Sequence, residues 1–512
     1  MKPQQLFTNS DPADPAYPAL EHPACSVLAN LPALGVIALA IASSVVLTLG
    51  GCASSAGIAS TAQMIAPISI GLDPAAAGGV IVPAALVPAV AADWWRSFGD
   101  PALTGLVERA LADNPSLKVA HARLARAEAA VSGAQAADGP QLNGALDVTR
   151  QRFSATSIYP PPLGGSIRTL GTAQIGGSWE LDFFGRNRAA IDAAVGTQRA
   201  AQADVQAARN LLASNVARTY VQLGRLFAQR EVAQRSLAQR DEILALIRQR
   251  VQGGLDTTVE QRQGEGALPE SRQQIEALDE QIALTRHALA ALTVQAPSAL
   301  DALVVPLRSV QAVPLPAAVP ADLLGRRADI AAARWRIEAA TGDMKNAKAQ
   351  FYPNINLTAF IGLASIGLDQ LIKSGSEQYG VGPAIRLPIF DSGRLRANLS
   401  MKTADLDAAI ESYNGAVLDA VHEVADKIAS LRSIDRQQAE QLRAQAAAES
   451  AYDLSTQRYK AGLSTYLTVL NAEATVLAQR RQSADLKARA LDAQIALIRS
   501  LGGGYTNPGA TS

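Results

Sequence analysis

The sequence predicts a mainly α-helical protein that carries a membrane β-barrel segment, built as two tandem repeats of a hairpin followed by long coiled helices. A duplicated stretch, a two-residue alternation and two long proline-free runs point to it. The duplicated stretch reads AQIGGSWELDFFGRNRAA from Ala173 and YGVGPAIRLPIFDSGRLRAN from Tyr379. Each copy leads an alternating segment into an aspartate (Asp182, Asp391), a Gly-Arg pair (Gly185-Arg186, Gly393-Arg394) and then a helical run.

In the first copy Ile175, Gly177, Trp179, Leu181 and Phe183 share one face, with Gln174, Gly176, Ser178, Glu180 and Asp182 on the other. In the second, Tyr379, Val381, Pro383, Ile385, Leu387 and Ile389 stand opposite Gly380, Gly382, Ala384, Arg386, Pro388 and Phe390. Each has an upstream partner. Leu142, Gly144, Leu146 and Val148 alternate with Asn143, Ala145, Asp147 and Thr149, and Ile355, Leu357, Ala359, Ile361 and Leu363 with Asn354, Asn356, Thr358, Phe360 and Gly362. Two hairpins follow, with strands near 141–153 and 170–183, and near 354–364 and 378–390. A soluble sheet with one wet face produces the same alternation. Strands of about 9–11 residues, apolar on one face, suit a tilted membrane crossing better.

The repeats align at an offset of 208, which carries Gly185 onto Gly393, Arg186 onto Arg394, Gly254 onto Gly462 and Thr257 onto Thr465. Ahead of the hairpins the offset is 213, from Pro140 to Pro353. The five extra residues fall in the first hairpin loop, where Pro160-Pro161-Pro162 and Gly164-Gly165 lie and an insertion is tolerated.

At the N-terminus an apolar run over residues 31–49 ends in Leu49-Gly50-Gly51-Cys52, the arrangement of a lipoprotein signal cleaved before an acylated cysteine. Residues 1–51 are expected to be the signal and Cys52 the lipid anchor. A run of that length is also long enough for a transmembrane helix. Cys25, the other cysteine, would leave with the signal, so no disulfide is available to the mature chain. Residues 52–92, rich in Ala, Pro and Gly, read as a flexible tether.

The first repeat spans 93–296. Asp100-Pro101 and Asn114-Pro115 each place a capping side chain before a helix-starting proline. After the hairpin, a proline-free helix runs over about 187–251, turns at Gly254 and returns over about 257–295, with Gly264, Gly266 and Pro269 expected to kink or loosen the return near its start. A proline-rich segment, 297–326, links to the second repeat, 327–501. Its long helix, about 395–461, keeps a near-heptad stripe from Leu399 through Ile410, Val417 and Val424 to Leu431. The chain turns at Gly462 and returns over about 465–501, and residues 502–512 are expected to be a mobile tail.

Forty-six basic and 46 acidic residues cancel, leaving no field to gather nucleic acid. His22, His121, His287 and His422 are scattered, and Gly502-Gly503-Gly504 lacks the Lys-Ser/Thr of a phosphate loop. Neither an enzyme nor a bound cofactor or metal is expected. The energy for any transport must come from another subunit.

The cysteine motif, Trp94-Trp95, Phe98-Gly99-Asp100-Pro101, Arg326-Arg327-Ala328-Asp329-Ile330, Phe351-Tyr352-Pro353, the two Gly-Arg exits and Tyr459-Lys460-Ala461-Gly462 form an ordered set. In that set the chain resembles the TolC-like outer-membrane factors of tripartite efflux pumps, in the lipoprotein branch that serves resistance-nodulation-division transporters. The resemblance covers about 93–501 and departs at Ala328, where the family commonly has Pro. It implies a homotrimer whose 12-stranded barrel, set in outer-membrane lipid, continues into a helical tunnel through the periplasm. It implies a periplasmic adaptor and an inner-membrane transporter as partners. It also implies that the helix turns lie at the periplasmic tip, where Glu260, Thr468 and Asn471 would line the gate. Family members often carry aspartates at the positions of Thr468 and Asn471, and Arg262 lies close enough in sequence to offset Glu260. The expected function is a passive exit duct for small toxic compounds. A duct for secreted polypeptides and a periplasmic coiled-coil lipoprotein without a pore remain alternatives.

Overall fold

Two helices follow the single 3-10 turn Trp94–Phe98, each set by the side chain before it. The Asp100 carboxylate accepts from the Ala102 and Leu103 backbone N–H groups at the start of α1 (Pro101–Asp113), and Asn114 caps α2 (Pro115–Asp138) through Ser116. Both helices begin on proline, which has no N–H to leave unpaired there. The structure is a computed structural model that describes residues 54–66, 81–82, 90–156, 158–313, 319–320 and 323–505. The expected signal and Cys52 lie outside the described residues.

The duplication is exact in its long elements. Helices α3 (Arg186–Gln252) and α6 (Arg394–Lys460) each have 67 residues. The returns α4 (Thr258–Leu292) and α7 (Tyr466–Ser500) each have 35. At 1.5 Å per residue the long helices reach about 100 Å. Between the repeats, α5 (Ala328–Ala349) packs along α3 through small residues. A Cβ added at Gly196 would sit 2.7 Å from the Ala339 nitrogen, and one at Gly342 2.7 Å from the Ala193 nitrogen. Glycine on each helix therefore sets how closely the two axes approach.

Strands β1 (Gln141–Arg152), β2 (Ile167–Leu181), β3 (Asn354–Ile366) and β4 (Glu377–Arg386) form one antiparallel sheet in that order. The register sets Gly144, Ile175, Ile361 and Tyr379 in one row, and Ala145, Gln174, Gly362 and Gln378 in the next. One face is thus apolar across all four strands. It is exposed, with Leu142, Leu146, Ile175, Ile361, Tyr379 and Val381 all open. Strands β1 and β4 are edges, each with one unpaired side. Among the described residues no helix is long and apolar enough to cross a membrane.

Four expectations need correction. Strand β4 stops at Arg386, so Leu387, Ile389 and Phe390 lie beyond it; Pro388 has no N–H to continue the ladder. Helix α4 runs unbroken through Gly264, Gly266 and Pro269. Residues 54–66 of the expected tether are strapped along α6: the Asp407 carboxylate accepts from Ser60 Oγ (2.6 Å) and the Ala62 N–H, and Asn414 bonds to the Ile65 N–H and the Gln63 carbonyl. Ala62 and Ile65 add apolar contacts to α5 and α6.

The fourth correction concerns the expected tail. Gly502, Gly503 and Gly504 are packed, with φ of 101°, 54° and 83°. A Cβ on them would fall 1.7 Å from the Arg326 carbonyl oxygen, 2.0 Å from Asn210 Oδ1 and 2.4 Å from Ala92 Cα, respectively. They knot the end of α7 to α3, to the start of the second repeat and to the entry of the first. The main core lies at this level, where Trp94, Trp95 and Phe98 meet Tyr220, Leu223, Val305, Leu307 and Ile495. Asp100 ties it together, its Oδ2 accepting from the Tyr220 hydroxyl at 2.9 Å and from Ser309 Oγ at 2.8 Å.

Candidate functional site

The two helix turns at the far end from the sheet are built alike. Gly254 (φ 71°) and Gly462 (φ 76°) supply the left-handed residue, and the N–H groups of Leu255 and Leu463 reach back to the Arg250 and Arg458 carbonyls at 2.8 Å. That closes the free carbonyls of each long helix. It also leaves Leu255 and Leu463 exposed at the apex.

Behind the turns, one network joins the repeats. Arg250 Nε and Nη2 donate to the two oxygens of Asp256 at 2.8 and 3.2 Å, and Arg250 Nη1 donates to the Tyr459 carbonyl at 3.2 Å. The Tyr459 hydroxyl donates to Asp256, and the guanidinium lies 4.6 Å from the Tyr459 ring centre. The Arg250 guanidinium holds the Asp256 carboxyl below its usual range, while burial and then Asp256 push the Tyr459 hydroxyl up. Tyr452, Tyr466, Val469 and Val476 close an apolar cluster around this link.

Glu260 and Thr468 occupy equivalent positions at the third residue of the return helices. Glu260 forms a capping box with Thr257, accepting from the Thr257 N–H at 3.0 Å and from its hydroxyl. Those bonds, the hydroxyl's first, lower the Glu260 pKa. Arg262 does not offset it: Arg262 Nη1 pairs with Glu265 at 2.9 Å. Thr468 Oγ1 lies 3.4 Å from Thr465 Oγ1, and Asn471 is exposed one turn further on.

At the opposite end, the strand exits are caps. Asp182 accepts from the Arg188 N–H at 2.8 Å and Asp391 from the Leu395 N–H at 2.8 Å, while Gly185 (φ 73°) and Gly393 (φ 85°) turn the chain into the helix. Arg186 pairs with Glu180 at 3.4 Å, and Arg394 is exposed.

A buried polar node between the repeats went unread in the sequence. Glu473, 3% exposed, accepts from Arg240 Nε at 2.8 Å and from Ser236 Oγ at 3.0 Å. Its signal was available: Tyr466, Val469, Glu473 and Val476 share one helix face by spacing, so the acid falls on a core stripe.

A family model for the outer membrane efflux protein matches residues 106–294 and 319–503. The chain belongs to the outer membrane efflux protein family. This efflux protein is 35% identical over 420 residues to the multidrug resistance outer membrane protein MdtQ of Escherichia coli O6:H1, covering 80% of this chain and 88% of MdtQ. It is 32% identical over 416 residues to the pyoverdine export outer membrane protein OpmQ of Pseudomonas aeruginosa, covering 80% and 87%. Its structure is similar to that of the outer membrane protein VceC of Vibrio cholerae, with a TM-score of 0.77, 36% identity and coverage of 81% and 99%. The efflux protein therefore has the fold of the TolC-like outer-membrane channels and is itself an outer-membrane efflux channel.

Proposed function

We propose that three copies of this efflux protein close a 12-stranded barrel in the outer membrane and form a passive duct for small toxic compounds. The observation that carries this reading is the four-stranded sheet, apolar on one exposed face and open at both edges. Open edges are not tolerated in lipid, and three-fold closure pairs each β1 with a neighbour's β4. The long helices then continue the wall into the periplasm, with the Gly254 and Gly462 turns at its tip and Glu260, Thr468 and Asn471 near its narrow end. Cys52 carries the lipid. The strap of residues 54–66 supports that placement, since Arg396 near the start of α6 donates to the carbonyls of Ser54 and Ala56.

The sequence carries no phosphate-loop motif, and in this reading an inner-membrane transporter acting through a periplasmic adaptor drives the flow. The names of MdtQ and OpmQ refer to multidrug resistance and to pyoverdine export, and neither to a secreted polypeptide, which favours small solutes. Deletion of the gene is expected to raise sensitivity to several unrelated drugs while protein secretion stays unchanged. Loss of a secreted polypeptide with unchanged drug sensitivity would overturn the small-solute duct.

A further inference from the structure

The exposed apolar face of the sheet ends in charge. On β1, Leu142, Leu146 and Val148 are followed on the same face by Arg150 and Arg152, both exposed, at the hairpin end of the strand, away from the helices. Among the described residues neither side chain has an ion-pair or hydrogen-bond partner. The other strand arginines, Arg168 and Arg386, fall on the polar face, opposite Gln151 and Asn354. An arginine facing lipid is costly at the bilayer midplane and nearly costless at its edge, so the pair marks the level at which headgroups begin. Residues two apart on a strand are separated by about 7 Å, and two guanidinium forks at that spacing can converge on a phosphate.

An apolar ledge adjoins them. Gly171 lies opposite Val148, and a Cβ on it would fall 2.9 Å from Leu368 Cδ2 and 3.4 Å from Leu371 Cδ2. The turn after β3 therefore folds over the outer face where Gly171 leaves room, in the row next to Arg150.

The duplication shows what the open edge of β1 meets on closure. The repeat offsets carry the Gln141–Ser178 pairing onto Asn354–Arg386, which is the register that β3 and β4 adopt. The same offsets carry the β2–β3 pairings Ala173–Leu363 and Gly171–Ser365 onto Val381 opposite Arg150, and Tyr379 opposite Arg152, between adjoining copies. No acid stands opposite either arginine. Glu377, two residues from Tyr379, accepts from the Gly375 N–H at 2.8 Å. The seam thus adds a tyrosine and leaves both positive charges uncompensated.

We propose that Arg150 and Arg152 bind the phosphate of a phosphorylated lipid in the outer leaflet, with its acyl chains against Val148, Leu368 and Leu371 and with Tyr379 of the partner subunit beside the headgroup. Three such sites ring the barrel. The proposal rests on the three-fold closure put forward above.

Native mass spectrometry of the full-length channel in neutral detergent, titrated with diphosphoryl lipid A, reports assembly and bound lipid in one spectrum. Lipid bound to the trimer, saturating at one per subunit, is expected. Arg150→Gln with Arg152→Gln is expected to weaken binding by about tenfold or more while the trimer persists. Arg168→Gln with Arg386→Gln, which removes the same charge from the polar face, is expected to leave binding unchanged. Phosphatidylcholine, whose phosphate is offset by its own choline, is expected to bind about tenfold more weakly than lipid A. Inorganic phosphate at the same concentration lacks the acyl chains and is expected not to displace the lipid. A trimer without bound lipid, equal weakening in the two double variants, equal binding of phosphatidylcholine, or displacement by inorganic phosphate would each overturn the lipid site while leaving the closure standing. Absence of a trimer in the unaltered protein would overturn the closure itself, and the site with it.

Discussion

Asp256 accepts from both ends of one guanidinium and from a tyrosine of the other repeat, so a single carboxylate holds the two turns together. Its pKa is depressed chiefly by the hydrogen bond from Arg250. A depressed folded value gives stability that is present above the unfolded value near pH 4 and is lost as the pH falls through the lower folded value. Asp256→Asn keeps the shape and removes the charge. It is expected to cost about 1–3 kcal/mol by leaving Arg250 uncompensated and to flatten the acid side of a pH series of thermal midpoints. An unchanged acid limb would show that the link carries no stability. This network was not legible in the sequence. Arg250 and Asp256 flank a turn that was, but Tyr459 enters from the other repeat, and no local pattern reports a contact across that separation. The glycine run at 502–504 misled for a related reason: its composition reads as a tail, whereas its burial depends on Asn210, Arg326 and Ala92.

At the scale of elements, what could be read was what repeats locally. Alternation marked the strands and their apolar face, and a proline-free heptad stripe marked the long helices, because both depend on neighbours within a few residues. Element ends depended on details such as Pro388. Phe360 on the polar face also resisted the pattern; the register sets it opposite Gly380, where an added Cβ would lie 2.7 Å from its ring, so the ring covers a glycine. The pairing now makes a sharper test of the membrane face. Leu181 lies opposite Ile355 and Leu357 opposite Trp179 on the apolar side, whereas Ser178 pairs with Thr358 on the other. Arginine at Ile175 or Ile361, a facing pair near mid-strand on that apolar side, is expected to cost about 2–4 kcal/mol near the bilayer midplane, and arginine at Ser178 or Thr358 to be tolerated by a wet lumen. Urea titration of the four variants folded into lipid vesicles measures this. Equal tolerance at all four sites would mean that neither face meets lipid.

For the whole molecule, the proposed three-fold assembly would multiply each tip residue by three, so small differences in charge at a narrow point would become a ring. The chain as a whole is neutral, with 46 basic and 46 acidic residues, and brings no long-range field of its own to the duct. At the tip the first-repeat acid is already committed: the Glu260 carboxylate closes the capping box with Thr257, which draws its oxygens toward its own helix end. Its counterpart Thr468 is neutral, as is Asn471, and both are exposed on the first turns of α7. The assembled channel is therefore expected to select cations only weakly. Thr468→Asp with Asn471→Asp would place six carboxylates at the constriction and raise the local cation concentration where the lumen is tight. The reversal potential under a salt gradient in planar bilayers is expected to shift toward the cation limit in the double variant, and the shift is expected to shrink as ionic strength rises. Glu260→Gln, by contrast, is expected to loosen the cap of α4 with little effect on selectivity, because the carboxylate is held in its capping box with Thr257. A double variant with an unchanged reversal potential would place Thr468 and Asn471 away from the constriction, and a selectivity loss in Glu260→Gln would return the acid to the lumen.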